Sequence, residues 1–121
     1  ILMRIMMQSN EIENGWVKKF LGKYILVRSN MAGVFVGILS NIGAQGNILV
    51  LENSRRIRRW VGAVDCSDLS VNSMSNPAES TVMLAEEYKV INGWEELGPL
   101  TEQARDVIYS CKEYSHENSN D

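Results

Sequence analysis

Residues 24–39 read Tyr24-Ile25-Leu26-Val27-Arg28-Ser29-Asn30-Met31-Ala32-Gly33-Val34-Phe35-Val36-Gly37-Ile38-Leu39. Two runs rich in β-branched and aromatic residues flank a short polar, glycine-closed corner, which is the signature of paired strands. The connection Ser29–Gly33 is too short for a parallel crossover, so the strands run antiparallel. A glycine-punctuated loop, Ser40–Asn47, leads to a third run, Ile48-Leu49-Val50-Leu51, and the three predict a meander.

Downstream, Glu52-Asn53-Ser54 reads as a turn. Arg55-Arg56-Ile57-Arg58-Arg59-Trp60 then reads as a strand rather than a helix, because a helix would stack Arg55 on Arg59. Strand alternation puts Arg56, Arg58 and Trp60 on one side and Arg55, Ile57 and Arg59 on the other. Asp65 or Ser67 can cap a short helix through Leu69, Val71 and Met74, stopped before Pro77. Thr81–Ala85 and Glu87–Ile91 read as strand segments, followed by an Asn92-Gly93 turn. Leu97–Leu100 leads into a last helix with Thr101 as N-cap and Ala104, Val107, Ile108 and Cys111 as its apolar stripe. Upstream, Val17, Phe20 and Leu21 fit a helical turn ended by Gly22. The expected fold class is α+β, an antiparallel sheet in the N-terminal and central part with short C-terminal helices. The divisions are an N-terminal arm over 1–22, one ligand-binding domain over 23–112, and a polar tail over 113–121.

Of 121 residues, 45% are hydrophobic, enough for one domain with a real core. The net charge of −3 is unevenly divided. Residues 1–60 carry nine of the twelve Lys and Arg and three of the fifteen acids; residues 61–121 carry the reverse excess. An acidic chain is a poor binder of duplex DNA, whereas a local basic site suits a compact anion. The apolar stretch Ile1–Met7 is too short for a membrane span and lacks signal-peptide flanks, so the expectation is an intracellular protein without membrane contact. Two cysteines, Cys66 and Cys111, and one histidine, His116, are too few for a four-ligand zinc site; two buried free thiols are the expectation and a single disulfide the alternative. The pairs Glu86-Glu87 and Glu95-Glu96 read as solvated loop charges. No catalytic residue, metal or cofactor is expected.

The arginine run carries the functional signal. Guanidinium groups so close repel and call for an anion, and phosphate matches their fork geometry. Trp60 is available to stack on a base or to anchor a subunit contact. The plain alternative is an edge strand guarded by charge. Arg28 can add to the same field. Thr101 and Arg105 form a second candidate phosphate contact, since a cation early in a helix opposes the dipole and an anion there removes the conflict. A surface ion pair with Glu102 is the alternative for Arg105.

The string Lys23–Gly37, the later Leu51-Glu52-Asn53-Ser54-Arg55-Arg56-Ile57 with Trp60 and Gly62-Ala63, Ser75-Asn76-Pro77 and Thr101-Glu102-Gln103-Ala104 together resemble a family of small phage proteins. That family includes the first type of Thoeris anti-defence protein, and the resemblance spans residues 23–108. It implies a non-enzymatic sponge that sequesters cyclic nucleotide immune signals, cyclic ADP-ribose isomers or cyclic di- and trinucleotides, in the cytoplasm of an infected bacterial host. It also implies pockets shared between subunits of a homodimer or homohexamer, and no long nucleic acid partner. On this reading Arg28, Arg55, Arg56 and Arg105 hold phosphates, and Met31, Ala32 and Gly33 let the backbone approach the ligand. Arg58 and Arg59 stand where the family pattern is aromatic, which bears on the choice of ligand. The rival readings are a single-stranded nucleic-acid binder and a hydrolase of such nucleotides.

Overall fold

A computed structural model of the chain describes residues 15–29 and 32–115. Ile1–Met7, Met31 and His116 lie outside the described residues. The fold is α+β: among the described residues, a seven-stranded sheet, antiparallel in all pairings but one, with two short helices after β3 and a helical turn at 15–18. Strands β1 (Tyr24–Ser29), β2 (Gly33–Ile42) and β3 (Ile48–Arg59) form the expected meander. Helix α1 (Cys66–Asn72) and a 3-10 turn (Pro77–Glu79) precede β4 (Thr81–Met83) and β5 (Glu86–Asn92). Then come β6 (Glu96–Pro99), α2 (Glu102–Ser110) and β7 (Glu113–Tyr114). The spatial order is β6-β1-β2-β3-β4-β7, with β5 on the first half of β3 and β7 parallel to β4.

Two sequence readings need correction. Glu52-Asn53-Ser54 is no turn: β3 runs through it as a bulge. Register steps from Val36↔Arg55 to Ile38↔Glu52, so β3 carries one more residue than β2 across the gap. Asn53, at φ 51°, supplies the left-handed residue that the kink needs. Leu97–Leu100 is not merely a connection, because residues 96–99 pair with β1, Leu26 opposite Gly98 and Arg28 opposite Glu96.

Alternation along the strands divides the core. Leu26, Val34, Val36, Ile57 and Val82 pack under the helices with Leu69, Met74, Leu100, Ala104 and Ile108. Ile25, Val27, Phe35, Leu39, Leu49, Leu51 and Ile91 form a second cluster with Val17 of the helical turn at 15–18. Each fully buried aliphatic or aromatic side chain contributes about 1.5–3 kcal/mol. Helix α1 is capped by Asp65, which accepts from Asp68 N at 2.8 Å, and ends one residue before Ser73. Among the described residues no helix is long and apolar enough to cross a membrane.

Candidate functional site

The bulge in β3 decides where the arginines go. It turns Arg55 toward the helices, where only 1% of the residue stays exposed. Its Nε donates to Met83 O at 2.8 Å and Nη1 to Ile108 O at 3.0 Å. Nη2 donates to Val82 O at 3.2 Å and Lys112 O at 3.3 Å. A buried cation survives when its donors are met, and here they are met by main-chain carbonyls. Burial pushes the Arg55 guanidinium below the usual arginine range, and Glu113 pulls it back up. The expectation that Arg55 holds a phosphate is therefore corrected: it ties β4, the end of α2 and the approach to β7 to the central strand.

Arg56 lies opposite Phe35 on the other face, its guanidinium 4.8 Å from the ring centroid. Lys89 approaches the same ring at 5.9 Å and pairs with Glu86 at 3.2 Å. Arg58 and Arg59 are exposed at the end of β3, and among the described residues neither has an ion pair or side-chain hydrogen bond. Trp60 follows the strand rather than extending it, and β3 slips register against β4 between Ile57 and Arg59. The indole therefore packs half-buried on the helix-side cluster with Ile57, not beside Arg56 as plain alternation predicts.

Arg28 is matched by carboxylates: Nε donates to Glu96 Oε2 at 2.7 Å, and Nη2 lies 3.0 Å from Glu95 Oε2. The Glu95-Glu96 pair is thus an anchor for Arg28. Ala32 and Gly33 form the exposed β1–β2 corner, and Gly33 takes φ 104°. Thr101 caps α2 as expected, its Oγ1 accepting from Ala104 N at 3.1 Å and donating to Val71 O at 2.7 Å. Its single hydroxyl proton is spent, so the proposed phosphate contact at Thr101 is corrected to a cap that also ties α2 to α1. Arg105 donates to Asp106 Oδ1 at 3.0 and 3.2 Å, lies 3.6 Å from Glu102, and sits over the Tyr24 ring at 5.4 Å. The hydrogen bond to Asp106 raises its pKa. The surface ion pair with Glu102 is present.

In one copy the guanidinium groups do not converge. Arg55 lies inside, Arg56 on the opposite face, and Arg28 and Arg105 each on its own acids. Among the described residues, no arginine lines the clefts bounded by Trp16 and Trp94, by Cys66 and Glu96, by Glu52 and Tyr88, or by Pro77 and Lys112. Cys66 and Cys111 are free, both half-buried, and burial pushes both thiols up, away from nucleophilic thiolate.

Two features escaped the sequence reading. Tyr24 and Tyr109 meet edge to face at 5.3 Å, with Tyr109 Oη donating to Asn53 O at 2.6 Å. Trp16 and Trp94, far apart in the chain, line one cavity of about 450 Å³. Neither pairing has a local spacing signal, because each depends on how β5, β6 and α2 return to the sheet.

Residues 22–108 match the family described as Domain of unknown function (DUF6948), and the chain belongs to that family. No curated protein matches the chain.

Proposed function

For this member of the DUF6948 family we propose a sponge: a protein that binds a cyclic nucleotide immune signal between copies of itself and holds it intact. The observation that carries the reading is the end of β3. Among the described residues, Arg58 and Arg59 stand exposed without a counterion, although acids are plentiful there. Unmatched neighbouring cations cost free energy that a bound anion removes. The resemblance of residues 23–108 to the phage anti-defence family supplies the ligand class, and its α+β fold agrees with the one observed. Because the arginines of one copy diverge, the proposed pocket draws on a second copy, with Arg56, Arg58 and Arg59 from the first. Arg28 and Arg105 serve where the signal displaces a carboxylate. Two or three charge-assisted bonds at about 1.5–3 kcal/mol each, with one stacked base, suffice for submicromolar binding after association costs.

Calorimetry with cyclic ADP-ribose isomers and cyclic dinucleotides tests this, at about 50 µM protein, where a micromolar complex is nearly saturated. Heat release of the bound molecule then recovers it unchanged. No heat with any of these ligands sinks the proposal. Product instead of ligand indicates a hydrolase. Affinity that climbs with oligonucleotide length indicates a single-strand binder.

A further inference from the structure

Among the described residues no arginine lines the cleft between Trp16 and Trp94. It is lined by Trp16, Val17, Gln45, Gly46, Asn47 and Trp94, and its volume of about 450 Å³ is in the range of small-molecule sites. No charged side chain is among the described residues of the lining.

One wall is built in advance. Trp94 Nε1 donates to Gly46 O at 2.7 Å, and Gly93 N donates to Asn47 O at 2.7 Å. These two bonds pin the β5–β6 loop to the β2–β3 loop. Gly46, buried at φ 78°, provides the backbone bend that aims its carbonyl at the indole. The opposite wall is Trp16, which stays 64% exposed. Lys19 Nζ lies 4.1 Å from the Trp16 ring centroid. An indole left this open gains by being covered, and a flat ring covers it best.

We propose that this cleft is a binding site for an uncharged purine base, stacked against the indoles and read at its edge by Gln45 and Asn47. The lining chooses the ligand class. Two carboxamides offer both donors and acceptors, which suits the mixed edge of a purine. They are too few for the many hydroxyls of a hexose, the other usual guest of paired indoles. A cationic head group finds no carboxylate among the described lining residues, and the Lys19 ammonium beside the cleft is already engaged by the Trp16 ring. The site stands independently of the arginine-based reading, since phosphate plays no part in it.

The probe is adenosine, with glucose as control, added to the full chain. The expected Kd is of order 0.1 mM, the efficiency of an ordinary ligand of that size, accompanied by quenching of tryptophan fluorescence. Trp16→Ala weakens binding about 5- to 150-fold, the measured span of one stacking platform. It leaves the melting temperature unchanged because Trp16 is largely exposed. Gln45→Ala narrows the preference for adenosine over uridine. Absence of adenosine binding at about 1 mM, equal binding by the Trp16→Ala protein, or a preference for glucose overturns the proposal. None of these results bears on whether a cyclic nucleotide is held elsewhere.

Discussion

Four arginines within five positions meet different fates, and the difference is a matter of which oxygens each can reach. Arg55 reaches four carbonyls and leaves water altogether. Arg58 and Arg59 reach none among the described residues and stay exposed. Arg55→Met orphans buried acceptors and is expected to lower unfolding free energy by about 2–4 kcal/mol, read as a fall in the urea midpoint at unchanged slope. Arg58→Ala shifts the same midpoint by less than about 0.5 kcal/mol. Tyr109 gives a pH handle. Burial, with Tyr24 adding to it, pushes its phenol well above the ordinary value of about 10. The folded state then keeps its proton where the unfolded chain releases it. The stability this confers is complete below pH about 10 and drains away as pH rises further. Tyr109→Phe has no such proton, so its stability curve is flatter than the parent's between about pH 10 and 11.5.

At the scale of elements, the cap residues behave as their sequence signals promise. Thr101 was legible, and Asp65 was one of two candidates with Ser67, because a capping oxygen needs only its own helix, three residues on. Thr101 does more than that, since its proton goes to Val71 O of α1. Thr101→Ser keeps both bonds and stays within about 0.5 kcal/mol of the parent, whereas Thr101→Ala costs about 1–2 kcal/mol in thermal or urea unfolding. The meander was equally legible, because alternation and short corners are local facts. What the sequence hid was longer in range. The bulge at Asn53 shows only when β3 is laid against β2, and the polar triplet Glu52-Asn53-Ser54 mimics a turn. Strand β6 contains Gly98 and Pro99 and lacks alternation, so only its pairing with β1 identifies it. The candidate site suffered most from this. Alternation already put Arg55 and Arg56 on opposite faces, but nothing local showed that the carbonyls of β4 and α2 would bury Arg55 or that Trp60 would pack on the helix side.

For the molecule as a whole, the charge imbalance between the halves does not survive folding as two poles. Glu95 and Glu96 come back from the acidic half onto Arg28, while among the described residues Arg58 and Arg59, like Lys18 and Lys23, stay exposed without an ion pair. Reversing Arg58 and Arg59 to glutamate therefore tests function without testing the fold. The double variant is expected to melt with the parent and to lose at least about 100-fold in affinity for the cyclic nucleotide, two charge-assisted contacts being removed.

The Arg55 clamp also governs which substitutions the chain tolerates. Its grip falls on peptide oxygens, which every amino acid owns, so it is blind to the identities at 82, 83, 108 and 112. Met83 and Lys112 are thus free to drift in composition without loosening the fastening, while the single guanidinium at the hub has no substitute.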